Sequence, residues 1–327
     1  MKFSIGYNQT NDFSDLLMKY KDNIESVYFA LPLSLGNSGR DLEQDNYYEK
    51  KIFNLIKICK ESGIENILVI NATCEGEKTG DKYHLLELIS YIKKLRKIGL
   101  NSISLTNLLY VKFIKKSIPE LKIYSSVNCY VKTVEQALYM KKIGIDVLTI
   151  DRDINRDLDL IKEIKVRTGL PIQILLNEGC FRNCPFRNTH FNIISHGVEN
   201  NVRNNSKGNY NLLEKYSCLP LLAENKRMVF RVPFVRPEDL HYYEGLTDVF
   251  KLTTRDNPIK EVELMLLAYV QGYYHGNLFD IIPSCVWHHE NIVNYIDNDK
   301  LTKFNFFEDI KKCIWDCDNC FNCDKYF

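Results

Sequence analysis

The chain lacks several features that would classify it quickly. No apolar stretch approaches the roughly 18 residues that a membrane-crossing helix needs. The opening "MKFSIGYNQTNDF" has no apolar core of a secretory leader. Both absences lead us to expect a cytoplasmic protein with no membrane partner. There is no surplus of charge: 43 Lys and Arg against 42 Asp and Glu leave +1, so any contact with nucleic acid would have to be local. No glycine-rich phosphate loop follows an apolar run, which removes support for a dinucleotide fold. H-E-x-x-H, a paired-carboxylate arrangement and G-x-S-x-G are also missing, so hydrolysis would have to be built from unrecognised pieces.

Cysteine, in contrast, is abundant, with 11 in the chain. In a reducing cytosol these are not a disulfide framework, which leaves metal binding, catalysis and burial to divide them. Cys59 sits on an apolar helical stripe with Ile52, Leu55 and Ile56 and reads as core.

The organising signal is a repeated unit in which an amphipathic stretch stops at a glycine and an apolar run follows. It recurs in "ESGIENILVI", "RKIGLNSISLT", "KKIGIDVLTI", "RTGLPIQILL" and "YEGLTDVFKLT". Glycine suits the left-handed position past a helix end, and the apolar runs suit buried parallel strands. Adding "KFSIGYN", "SVYFALP", "KIYSSVN" and "MVFRVPF" makes nine candidate strands. The count predicts a TIM-like (β/α)8 barrel with one extra or misassigned strand, and an open doubly wound sheet is the alternative. Residues 1–296 form the expected barrel domain. Residues 297–327 read as one helix and a cysteine-rich metal or cluster tail.

In such barrels the reactive groups gather where the strands end. The strand ends here carry Asn8, Thr73-Cys74, Asn107, Asn128-Cys129, Asp151-Arg152 and Asn177-Glu178-Gly179-Cys180, with Arg236 and Arg255 after the last two runs. Asn and Asp also serve as turn and cap residues, whereas caps do not call for cysteine. Cys180 and Cys184 form a C-x3-C loop in "NEGCFRNCPFRNTHFN". Thiolates so spaced can reach one zinc or one iron–sulfur cluster; a redox pair more often has C-x-x-C. Cys313, Cys317, Cys320 and Cys323 fall within eleven residues at a polar chain end, a density that favours a metal or cluster. Cys218 and Cys285 stand singly, a pattern more often seen in cores than in ligand sets.

From Lys122 to Arg255 the chain resembles the collagenase-like peptidase family U32. The likeness is carried by "IYSSVNCYVKTVEQALYMKKIGIDVLTIDRDINRDLDLIKEIK", by the strand ending in "NEGC" and by "FKLTTR". It extends to "VRPEDLHYYE", "YIDNDKL" and the terminal cysteines. The resemblance implies a barrel holding a [4Fe-4S] cluster on four cysteines, used for oxygen-independent hydroxylation of RNA bases or of the ubiquinone ring. Other members are described as collagenases. Carried over by position, Cys180 and Cys184 match the cysteine loop and Cys218 a downstream ligand, with Cys285, Cys74 or a tail cysteine as the fourth. The expectation is therefore an iron–sulfur enzyme with one or two clusters, zinc being the alternative for the tail.

Its substrate is a small molecule, a peptide or RNA, contacted by Arg40, Asp151, Arg152, Glu178, Arg236 and Arg255, and a redox partner protein is possible. A metal-dependent peptidase and a non-enzymatic iron–sulfur scaffold or electron-transfer partner are the competing functions.

Overall fold

The computed structural model describes residues 1–36, 38–39, 44–197, 218–282 and 292–327. Arg40, Cys285 and the His288-His289 pair lie outside the described residues.

Eight short strands run parallel: β1 (Phe3–Gly6), β2 (Ile24–Ala30), β3 (Glu65–Ile70), β4 (Ser102–Leu105), β5 (Lys122–Ser125), β6 (Leu148–Thr149), β7 (Ile172–Leu175) and β8 (Val249–Lys251). Their order is β5-β4-β3-β2-β1-β8-β7-β6. The two ends meet through a parallel bridge between Tyr124 and Val147 and the bond from Ser125 N to Val147 O at 3.0 Å. The sheet is thus a nearly closed TIM-like (β/α)8 barrel and not the open doubly wound alternative. The extra strand is "MVFRVPF": Lys226–Arg231 forms a 3-10 helix. Its apolar run is buried in a second core and not in the ring, and period alone does not separate those two fates.

Helices α1 (Phe13–Lys19), α2 (Tyr48–Ser62), α3 (Lys82–Ile98), α4 (Leu109–Ser117), α5 (Val134–Ile143) and α6 (Leu158–Thr168) alternate with the strands. The stripe Ile52, Leu55, Ile56 and Cys59 on α2 is buried, as is Leu85, Leu88, Ile89 and Ile92 on α3. Gly63 and Gly99 end these helices at φ 69° and 119°, a region that a Cβ makes costly.

Alternation along the strands divides the apolar side chains into two sets. Phe3, Ile5, Val27, Phe29, Leu68 and Ile70 join the helix stripes in the main core. Tyr28, Ile67, Val69, Tyr124 and Val147 form a separate small cluster inside the ring. Polar pairs fill the rest of the interior: Ser26 Oγ donates to Ser4 Oγ (2.8 Å), Thr149 Oγ1 to Gln173 Oε1 (3.0 Å) and Tyr124 OH to Glu65 Oε2 (2.9 Å).

After β7 the chain forms α7 (Arg187–Gly197) and α8 (Cys218–Glu224), and after β8 it forms α9 (Ile259–Gln271). The C-terminal segment has two short helices where one was expected, α10 (Asn298–Lys303) and α11 (Phe306–Ile310), separated by Asn305 in the left-handed region. This segment packs on a second hydrophobic core centred on Phe230, which meets Phe306, Tyr326 and Phe327 at 5.2–5.4 Å between ring centroids. No helix among the described residues is long and apolar enough to cross a membrane.

Phe230 is 1% exposed, so Phe230→Ala should leave a cavity beneath the C-terminal segment. We expect a loss of about 3–5 kcal/mol in unfolding free energy, read by chemical denaturation.

Candidate active site

The site grows from the ends of β6 and β7. After β6, Asp151 caps a 3-10 turn by accepting the Asp153 amide at 2.7 Å. That turn presents Arg152 to the barrel mouth and Asp153 to the loop that follows β7. Arg152 is 1% exposed, with Nε 2.6 Å from Glu178 Oε2 in an ion pair that is close but poorly aligned for a hydrogen bond. Its Nη2 donates to Asn128 Oδ1 at 3.4 Å, and the guanidinium lies 5.2 Å from the Phe191 ring centroid. Nη1 is buried with no hydrogen-bond partner among the described residues. A buried, unanswered donor on a charged group is costly unless a ligand supplies the acceptor.

Arg152 lines a cavity of about 510 Å³ at the mouth together with Glu178, Asn71, Asn128, Lys251 and Arg255. Arg255 donates to Ser38 Oγ at 3.3 Å and lies 5.4 Å from the Tyr28 ring centroid, while Lys251 Nζ sits 4.1 Å from the same ring. Three cations thus converge on one polar cavity. Asn177, fully buried, braces the wall by accepting the Thr253 amide at 2.7 Å.

Asp153 holds the cysteine loop. Its carboxylate accepts from Arg187 Nη2 (2.7 Å) and Nη1 (2.9 Å), from the Asn183 amide (2.8 Å) and from Lys132 Nζ. Burial alone would raise this carboxyl. The Arg187 clamp, Lys132 and the Asn183 amide outweigh it and hold Asp153 well below the usual carboxylate range. Burial has the opposite outcome at Asp151, which is raised, with Arg152 opposing.

Within the loop, Arg187 Nε donates to Cys180 Sγ at 3.4 Å. Cys180 is hydrogen-bonded to Cys184, and Cys184 in turn to Cys218 at the start of α8. The three thiols form a row. The bond to Cys184 and burial push the Cys180 thiol up, while Arg152 and Arg187 pull it down. Among the described residues, no group of three or more His, Cys, Asp and Glu side chains is arranged to hold a metal ion. As donors, three soft thiols and a charged N–H directed at one sulfur fit a thiophilic group such as an iron–sulfur cluster.

The remaining sequence candidates are distributed differently. Arg236 is not at the mouth and is corrected: it is 2% exposed, paired with both Asp239 oxygens (2.9 and 2.8 Å), and its Nη1 donates to Thr302 Oγ1 (3.0 Å) and Asn298 O (3.3 Å). It joins the C-terminal segment to the barrel, a structural role its place after an apolar run did not reveal. The Cys129 thiol donates to Leu105 O at 3.2 Å and stays out of the row. Cys313, Cys317, Cys320 and Cys323 lie together, and burial with the other three pushes the Cys323 thiol up to about 12. Cys184, Cys218, Cys313, Cys317 and Cys323 all border the Phe230 core, and Arg182 stacks 4.6 Å from the Trp315 ring centroid. The sequence reading missed Asp153 and Arg187; the only signals were the D-R-D triplet and an arginine three residues after Cys184.

The family profile described as "Peptidase family U32" matches residues 11–182, just over half of the chain. The chain belongs to peptidase family U32. One relative, "Uncharacterized protease MJ1657" of Methanocaldococcus jannaschii, is 30% identical over 321 residues, covering 97% of this chain and 91% of its own. Among solved structures, "The Structure of the U32 Peptidase Mk0906" superposes with a TM-score of 0.56 at 16% identity, over 79% of this chain and 95% of that one. At that identity the likeness concerns the U32 fold alone. The family profile ends at Arg182, so the second half of the U32 cysteine loop, Cys218 and the tail stand on this chain's own geometry.

Asp153→Asn should cost about 3–5 kcal/mol at neutral pH, because it leaves Lys132 without its countercharge and Arg187 with only the longer pair to Asp151 at 3.4 Å. A depressed carboxyl contributes stability above its unfolded pKa near 4 and loses it as pH falls through the lower folded value. The gap between wild type and variant should therefore narrow below about pH 4 in acid-unfolding curves.

Proposed function

We propose that this U32 protein is an iron–sulfur enzyme that modifies an anionic substrate held in the barrel mouth, by chemistry that does not need molecular oxygen. The observation that carries this reading is the meeting of Cys180, Cys184 and Cys218, with Arg187 on Cys180, beside a mouth lined by three cations. Cys180, Cys184 and Cys218 would hold the cluster with one further ligand, for which Cys285, outside the described residues, is a candidate. When bound, such a group supplies one-electron transfer or an open iron as a Lewis acid.

The chain's own residues account for binding and orientation. Arg152 Nη1 offers its unanswered donor to an anionic group, with Asn128 beside it. Arg255 and Lys251, anchored over Tyr28, provide the opposite wall. Glu178 holds Arg152 from the side of the cysteine loop, so substrate and thiols share one supporting ion pair. Arg187, clamped by Asp153, fixes the direction of Cys180. RNA remains within this reading as a substrate only through such local cations, since the net charge is +1.

A peptidase is the second reading, favoured by the family's description and by the name of the M. jannaschii relative. The two separate on the cysteines. Protein purified anaerobically should contain iron and acid-labile sulfide, and Cys180→Ser or Cys184→Ser should remove most of the iron associated with the barrel. Iron-free, metal-replete protein that cleaves gelatin, with cleavage surviving both substitutions, would establish the peptidase instead.

A further inference from the structure

We propose that Cys313, Cys317, Cys320 and Cys323 form a tetrathiolate metal site of their own, separate from the thiols after β7, whose ion fastens the C-terminal segment to the barrel.

The first argument is which side chains this segment turns inward. Ile314 and Phe321 are 78% and 64% exposed, although they are the groups that burial would reward. Cys313, Cys317 and Cys323 instead point to the Phe230 core along with Trp315. Apolar packing does not explain a path that exposes isoleucine and phenylalanine while it half-buries the thiols. A shared ligand of the four sulfurs does.

The backbone supports the same conclusion. Trp315 adopts φ 64°, a region unfavourable for a bulky residue, and its amide donates to Cys313 Sγ at 3.3 Å. Backbone N–H bonds to sulfur stabilise thiolates and orient them towards a metal. The Cys320 amide donates to Asp316 O at 2.9 Å, closing a turn that brings Cys317 and Cys320 onto one side.

Electrostatics adds a third observation. Four thiolates around a divalent ion leave an excess of negative charge, and the barrel face beneath them is cationic. Arg227 lies within interaction range of Cys317 and Cys323, Arg231 of Cys317 and Arg156 of Cys313. The four sulfurs do not stand in coordination geometry in this structure, so ligation requires them to move together. With four thiolates the shell is complete, which suits a structural centre without an open position.

The site would act on the barrel through existing contacts. Asn225 Nδ2 donates to Cys317 O at 3.0 Å, Arg227 pairs with Asp324 at 2.6 and 2.9 Å, and Trp315 stacks on Arg182. Arg182 Nε in turn donates to Asp153 O at 3.0 Å. Releasing the segment would therefore loosen the loop that holds Cys180 and Cys184.

Zinc and an iron–sulfur cluster share this thiolate chemistry, and metal analysis distinguishes them. The test uses the full-length chain carrying Cys180→Ser, Cys184→Ser and Cys218→Ser, so its result does not depend on the reading of the barrel site. This protein should still bind about one zinc per chain, or iron with matching sulfide, and should lose it when Cys317→Ser and Cys320→Ser are added. A chain that retains no zinc or iron after reconstitution, or metal that survives the tail substitutions, would overturn the proposal. Should the triple variant not fold, the wild-type chain loaded with Co(II) provides the second measurement. Intense tetrahedral cobalt–thiolate bands that disappear in Cys320→Ser support the site, and bands unchanged by that substitution refute it.

Discussion

The buried carboxylate of Asp153 is the constraint on which the mouth of this barrel depends. It lies on the turn after β6, yet four of its hydrogen bonds go to other segments: Lys132, the Asn183 amide and both terminal nitrogens of Arg187. A carboxylate so enclosed is tolerated only with full compensation, and its partners are equally committed because each is costly to leave unpaired. The network therefore locks the β7 loop against the β6 turn. Cys180 inherits its position from that lock through Arg187.

Around this hub the barrel assigns separate tasks to its two faces. The outward strand residues and helix stripes build one large core, and the inner side chains fill the ring with a small apolar cluster and paired hydroxyls. At the mouth, buried apolar residues give way to Arg152, Lys251, Arg255 and a polar cavity. The second core, reached only after β7, seats the C-terminal segment and both sets of cysteines along its edge. Arg156 shows how tightly that region is specified. Its guanidinium satisfies itself on the carbonyls of Phe230, Val232 and Phe234 while packed against the Phe234 ring.

The parts of this architecture that were legible beforehand share a short range. Helix stripes such as Leu85, Leu88, Ile89 and Ile92 follow from a 3.6-residue period, and the glycine stops follow from local backbone sterics. Five of the eight strands, β3, β4, β6, β7 and β8, could be placed because each follows the repeated glycine stop. "MVFRVPF" misled because an apolar run reads alike whether it becomes a strand or a lining of a second core. Arg236 misled for a related reason: an arginine after an apolar run has the same local signature whether it faces a substrate or, as here, Asp239 and Thr302.

The sequence by itself determined the repeating strand and helix plan, the family resemblance and the cysteine spacing of both loops, since each is written in residues close along the chain. Only the tertiary structure decided which charges pair, which arginine keeps a donor unanswered and which distant cysteine joins Cys180 and Cys184. The physical reason is that a buried charge or thiol takes its partner from whatever the closed barrel places beside it. Asp153 with Arg187, Arg152 with Glu178, and Cys184 with Cys218 are neighbours of the fold, not of the chain.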